Sequence, residues 1–365
     1  MPFPNAIVQR VRQEAEAVLL SGKSRIEEYE ARPNDYTGKQ DDSSLYHWLR
    51  SWYAGLSNVN EQEWIDERVK LLTDLTYLLD RWFHLTYAEN LMDKYVHGAF
   101  IQHLEHTQPF YEDRPKKQQQ NLYLMARSTF KTTIMSAMAI QTALRDPRAR
   151  VAIASFRQEE AEDRLQPLKR ILESDQAMHF FPDRVWPRQH KWRPDTIMWD
   201  KASLQFRNSR RIGKDPDLCA VSSETPQTGA HFTDIHADDL VNEKSVKTRL
   251  MIRKCSQTWK YLQTCTEEWA ILRGYGTFYD GDDLYNEMIR EGGLNELWVV
   301  PAIASENWLK EYPQMRNKLW MGSRIRQDDL LFPNRLTGPA LDERATKLGP
   351  FIFSCQYLLE PTART

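Results

Sequence analysis

Lys131, Thr132 and Thr133 stand where an apolar run over 122–126 gives way to small and polar residues, and then to an apolar-periodic stretch over 131–144. That pattern predicts a buried strand, a tight turn and a helix that begins at Lys131. The first amides of a helix have no internal partners and its dipole is positive there, so the junction is an anion site. A lysine followed by hydroxyls adds a charge for phosphate and a ligand for Mg²⁺. Ser128, Thr129, Phe130, Lys131, Thr132 and Thr133 therefore read as a nucleotide phosphate loop. Met125 and Phe130 stand where such a loop has glycines, which let backbone approach phosphate closely. The same residues would also make an ordinary strand-to-helix turn with a solvent-facing lysine.

A second group lies at Asp234-Ile-His-Ala-Asp-Asp239. A core strand ending in adjacent carboxylates delivers them to the sheet edge where nucleotide would lie. Asp238 is then placed to hold Mg²⁺, and Asp239 to orient or deprotonate the attacking water, with Glu243 a weaker candidate for that role. The stretch from His231 to Asp239 also permits a hydrolytic metal cluster of His231, Asp234, His236, Asp238 and Asp239. Strand alternation weighs against it, because Asp234, His236 and Asp238 would share a face that a parallel sheet fills with apolar residues. A third group is Thr277, at the tip of an apolar strand, where a hydroxyl could sense the γ-phosphate and relay its loss to the next loop.

The elements that must position these groups alternate. Strands are expected over 150–155, 233–237, 269–274 and 297–303, with helices over 158–172 and 246–262 and a hairpin of 196–199 with 203–207. Strands separated by helices imply a mostly parallel sheet with its site at the strands' carboxyl ends. Before them come helices over 8–20 and 61–80, separated by a turn-rich break at 32–38. Tyr46, Trp48, Trp52, Tyr53, Trp64, Trp82 and Phe83 in this part are expected to pack rather than stack on bases. The domain reading is a helical extension over 1–95 followed by an α/β domain over 96–365.

With 365 residues the chain exceeds one small core, and 41% hydrophobic with 27% charged residues is the composition of a globular protein. A net charge of −2 excludes a globally basic nucleic-acid coat, although a basic stripe such as Arg207-Asn-Ser-Arg-Arg-Ile-Gly-Lys214 could touch DNA phosphate or a neighbour's nucleotide. No apolar run approaches the roughly 20 residues of a membrane span, so a cytosolic location is expected. Cys219, Cys255, Cys265 and Cys355 show no paired spacing and are expected as reduced thiols.

The order of the motifs resembles the ATPase portion of the large terminase subunit, the DNA-packaging motor of tailed bacteriophages. Met125-Ala-Arg-Ser-Thr-Phe-Lys-Thr-Thr133 is similar to its arginine-containing Walker A, and the segment from Thr228 to Glu243 to its Walker B. Gly276-Thr-Phe-Tyr-Asp-Gly-Asp-Asp-Leu284 resembles its coupling motif, and Phe353-Ser-Cys-Gln-Tyr-Leu-Leu-Glu-Pro361 the close of its ATPase domain. The resemblance implies ATP and Mg²⁺ as cofactors, with Lys131 and Thr132 at phosphate and metal, Arg127 near phosphate, Asp238 on the metal and Asp239 as the catalytic carboxylate. Asp239 stands where many such ATPases have Glu. Gln102 or Gln108 could contact adenine.

The resemblance further implies a P-loop ATPase fold, and a motor in the host cell cytoplasm that moves double-stranded DNA into a procapsid. Its partners would be a portal protein, a small terminase subunit and further copies in a homo-oligomeric ring. The family's C-terminal nuclease is not expected here, since the acidic pairs Asp282-Asp283, Asp328-Asp329 and Asp342-Glu343 read as solvated charge. Two other classes stay open: a nucleic-acid-binding scaffold with a degenerate nucleotide site, and the metal-dependent hydrolase.

Overall fold

Strands that are apolar on both faces must be covered on both faces, and here they form a single sheet in a computed structural model. The structure describes residues 5–31, 60–109, 113–186, 197–207, 209, 215–222 and 229–361. Its strands are β1 (Gln119–Met125), β2 (Val151–Ser155), β3 (Ser203–Leu204), β4 (Leu218–Ser222), β5 (Phe232–Asp238), β6 (Thr266–Gly276) and β7 (Glu296–Val300). They lie in the order β3-β4-β2-β5-β6-β1-β7, with β3 antiparallel to β4 and every other pairing parallel. The fold is thus α/β, a mostly parallel sheet flanked by helices. Because β1, β5 and β6 run the same way, the segments leaving them emerge at one edge.

The helices are α1 (Asn5–Ala31), α2 (Glu61–Thr73), α3 (Leu75–Phe83), α4 (Lys94–His106), α5 (Lys131–Arg145), α6 (Gln158–Leu172), α7 (Asp175–Phe180), α8 (Arg249–Thr264), α9 (Leu284–Glu291), α10 (Glu306–Glu311), α11 (Met315–Lys318) and α12 (Gly338–Phe353). From Ile134 to Arg145 every residue of α5 is buried, so this helix is a core element rather than a surface one. Burial of each of Ile134, Met135, Met138, Ile140 and Leu144 contributes about 1.5–3 kcal/mol, which pins the helix that starts at Lys131. Several of its buried polar side chains are hydrogen-bonded. Gln141 donates to the Leu71 carbonyl at 3.0 Å, Thr142 to the Met138 carbonyl at 2.9 Å, and Arg145 to the Gln108 carbonyl at 2.8 Å. The N-terminal helices are tied to the same body: Arg68 grips Asp183 with two bonds, of 2.6 and 2.9 Å, and Trp64 donates to the His179 carbonyl at 3.1 Å.

Several expectations change. The apolar stripe over 61–80 is two helices, because Asp74 takes an extended conformation and its side chain caps α3 by accepting from the Tyr77 amide. Helix α8 starts at Arg249 rather than 246, where Thr248 caps it. The hairpin exists as a Trp199–Leu204 bridge, but its second strand pairs onward with β4, which the sequence reading missed. Residue 196, the break at 32–38, and Tyr46, Trp48, Trp52 and Tyr53 lie outside the described residues. Trp64 and Trp82 are buried in the core, and all four cysteines are buried and outside any disulfide. Asp283 is not solvated. It is fully buried, caps α9 by accepting from the Tyr285 and Asn286 amides, and burial pushes its carboxyl up to about 6. Asp328 and the Asp342-Glu343 pair are exposed. Among the described residues no helix is long and apolar enough to cross a membrane.

Candidate functional site

The turn between β1 and α5 solves a steric problem. Ser128 and Phe130 both have left-handed backbones, with φ of 69° and 60°, a region where a Cβ is normally costly. Neighbours distant in sequence hold them there. The Asp93 amide donates to Nδ1 of buried His97 at 2.8 Å, which places the ring proton on Nε2, and Nε2 donates to the Thr129 carbonyl at 2.9 Å. Burial keeps this imidazole neutral, with its pKa pushed down to about 4. The guanidinium of Arg335 lies 4.7 Å from the Phe130 ring centre and donates to the Ser128 carbonyl at 3.3 Å. Thr129 is buried and turns inward, its hydroxyl donating to the Ala126 carbonyl at 2.7 Å.

Arg127 is exposed and joined to Gln356 twice. Its amide donates to the Gln356 carbonyl and its Nη1 to Gln356 Oε1, both at 2.9 Å. The segment resembling the domain's close is therefore hydrogen-bonded directly to the loop. Met125, at the other glycine position, is simply the buried end of β1.

Helix α5 has no side-chain cap, unlike α2, α3, α7, α8, α9 and α10, whose first amides are taken by Asn60, Asp74, Ser174, Thr248, Asp283 and Ser305. Thr132 Oγ1 lies 3.1 and 3.0 Å from the two oxygens of Asp238, across the strand β6 that separates β1 from β5. Lys131 is buried and its Nζ stands 3.6 Å from Asp239 Oδ1, an atom with no hydrogen-bond partner among the described residues. Asp239 sits in a left-handed turn, φ 48°, fixed by its amide donating to the Tyr275 carbonyl at 2.9 Å. Burial, then repulsion from Asp239, raises the Asp238 carboxyl, while Lys131 and Arg164 pull it back. A hydroxyl and a fully buried carboxylate in contact, beside a lysine and an orphaned carboxylate oxygen, are an oxygen-donor set that fits Mg²⁺.

The structure thus gathers Lys131, Thr132, Asp238 and Asp239. Thr133 is half-buried on the next position of α5, and Thr277 is buried just beyond the end of β6. The preceding Gly276 could carry no side chain, since a Cβ there would overlap the Tyr285 ring. Glu243 is exposed in the turn before α8 and is not drawn to Lys131. Its charge adds to the push on the Tyr279 hydroxyl, which is raised by burial first and then by Asp239. The His231–Asp239 metal cluster is not assembled, and among the described residues no group of His, Cys, Asp or Glu is placed to hold a metal by itself. Asp234 is bonded to Arg114 and Arg273 at 2.5 and 3.2 Å, and His236 lies against Tyr275, its ring pushed down to about 3 by burial. His231 is exposed.

Neither glutamine is at the loop. Gln108 is buried behind α5, donating to the Met138 carbonyl at 3.1 Å. Gln102 accepts from Trp320 Nε1 at 3.3 Å and lines a cavity of about 670 Å³ between the N-terminal helices and α4, to which no residue of the loop contributes. Of the basic stripe, Arg207 is buried and donates to the Pro182 carbonyl at 2.6 Å, while 208 and 210–214 lie outside the described residues. The sequence reading missed Arg164, His97 and Arg335. The Nε of Arg164, on α6, donates to Asp238 Oδ2 at 2.7 Å. Its neighbour Leu165 is part of the buried stripe of α6, but nothing in that pattern says which strand tip the arginine meets.

No family model matches the chain, and no curated protein matches it. Among solved structures, the ATPase domain of the large terminase of Thermus phage P74-26, in a point-mutant form, is similar at 15% identity, covering 69% of this chain and 91% of that one with a TM-score of 0.30. A superposition that loose assigns no role to any residue of this chain.

Proposed function

We propose that this chain is a Mg²⁺-dependent ATPase. The observation that carries the reading is the contact of Thr132 with Asp238, made beside Lys131 at the uncapped start of a buried helix. In this reading the free amides of α5 and the Lys131 ammonium bind the β- and γ-phosphates and stabilise charge that develops on them. Thr132 and Asp238 would hold Mg²⁺, which supplies neutralising charge at the phosphates. Asp239 orients the attacking water and accepts its proton as the water oxygen bonds to the γ-phosphorus and ADP leaves. Arg127 reaches phosphate only by giving up its bond to Gln356. Thr277, emerging between the two site strands, relays loss of the γ-phosphate to the segment that leads to α9.

The motor role, with double-stranded DNA, a portal protein, a small terminase subunit and a ring of copies, rests on the four ordered motifs alone. The site is tested by Asp239→Asn, which removes the base and leaves the phosphate cradle and the metal ligands. Nucleotide binding should persist while turnover falls about 100-fold. If binding is lost instead, and Asp238→Asn is the variant that still binds, the two carboxylates have the opposite roles.

A further inference from the structure

Asp238 is fully buried and close to a second carboxylate, so it requires a cation, and among the described residues the one that touches it is Arg164. Buried arginines elsewhere in the molecule are gripped by more than one bond. Arg68 meets both oxygens of Asp183 with its side chain only 5% exposed, and Arg273, with no exposure, bonds both Asp234 and the Thr107 carbonyl. Arg164 is held differently. It uses Nε alone, its side chain is 34% exposed, and among the described residues it has no other hydrogen bond. The oxygen it takes, Asp238 Oδ2, is also the nearer neighbour of the Thr132 hydroxyl, at 3.0 Å.

We propose that Arg164 is an exchangeable counter-ion: it holds the Asp238 carboxylate until the divalent cation that accompanies the nucleotide takes its place. This rests on the phosphate-site reading above. A cation seated on Thr132 and Asp238 would bring a second positive charge to the carboxylate that the guanidinium holds, and would take over the neutralisation that Arg164 supplies. Two cations on one carboxylate oxygen repel, and the partly exposed, singly bonded arginine is the one that can leave. Metal loading is thereby coupled to α6, which carries Arg164 and also approaches the turn after Asp239 through Glu160 and Asn242, 3.4 Å apart. Arg164 is a positioning residue in this account and touches no reacting atom.

Mn²⁺ detected by paramagnetic resonance is the probe, added to the full chain with and without a non-hydrolysable ATP analogue. Without nucleotide, Arg164→Gln should bind Mn²⁺ about tenfold or more tightly than the original protein, since a charge-assisted hydrogen bond to the same oxygen no longer competes. Arg164→Lys should restore the weaker binding. Equal or weaker binding by Arg164→Gln overturns the exchange. A second measurement avoids any folding defect in the variants: the Arg164 Nε–H nitrogen resonance of the unaltered protein, assigned by its loss in Arg164→Lys, should move when Mg²⁺ and the analogue saturate the site. A resonance that stays fixed at saturation also overturns the proposal. Failure of the unaltered protein to take up either Mn²⁺ or the analogue is a different result, which overturns the phosphate-site reading and this proposal with it.

Discussion

Asp234 and Asp238 lie on the same strand, with relative exposures of 1% and 0%, and their surroundings treat them in opposite ways. Burial alone would raise both. At Asp234 the guanidinium groups of Arg114 and Arg273 outweigh it and hold the carboxyl well below its usual range. At Asp238 burial and the neighbouring Asp239 win, and the carboxyl is raised. One end of β5 is a closed ion cluster that ties the segment before β1 to the sheet. The other end is an under-neutralised pair of carboxylates at an open edge, which is where functional sites concentrate perturbed groups. Burial and strand position do not separate a structural carboxylate from a candidate ligand; the supply of cations around each does.

The sharpest way to break this comparison is to neutralise each carboxylate. Asp234→Asn leaves two buried guanidinium groups without their anion and should cost about 3–5 kcal/mol in denaturant unfolding. Asp238→Asn removes a charge that its surroundings already disfavour and should change stability by less than about 1 kcal/mol. Equal losses would mean that both ends of the strand are structural.

Lys131→Ala bears on the open end alone. It should cut ATP turnover by about 10²–10³-fold, the usual effect of removing one preorganised donor to developing charge, while the far-ultraviolet circular dichroism is unchanged. Turnover that survives would remove the lysine from the phosphate site.

A smaller effect is expected from the clamp on the loop. His97 is neutral when folded because burial lowers its pKa from 6.5 to about 4. The unfolded chain therefore takes up the proton first as pH falls. The contribution of His97 is complete above pH 6.5 and declines towards pH 4, by about 3 kcal/mol at 1.36 kcal/mol per unit. In unfolding measurements across this window, His97→Gln should lose less stability than the unaltered protein. Parallel pH profiles would show that the ring is not held neutral.

The parts of this site that were legible in sequence are the local ones. The apolar run into Lys-Thr-Thr predicted α5 almost to the residue and the second half of β1, which begins three residues earlier, and the strand into Asp238 was plain because its residues are contiguous. What was hidden depends on residues far apart in the chain. With Met125 and Phe130 in place of glycines the loop looked unable to turn, and only His97 and Arg335, brought in from either side in sequence, explain how left-handed Ser128 and Phe130 are held. Arg164 could not be assigned because α6 offered no signal of which strand tip it meets. The break at Asp74 carried its own signal, an aspartate just before an apolar run, and the long stripe masked it. Asp283 was misread for the opposite reason, since a buried helix cap and a solvated acidic turn have the same composition.

The most direct test of the central claim is calorimetric titration of the protein with ATP, with and without Mg²⁺, beside the same titrations of Thr132→Ala. If Thr132 and Asp238 together hold the metal of a phosphate site, Mg²⁺ should strengthen ATP binding to the unaltered protein, and Thr132→Ala should lose most of that gain while still binding ATP in the absence of metal. ATP binding that is absent in both conditions, or that gains equally from Mg²⁺ in both proteins, would contradict it.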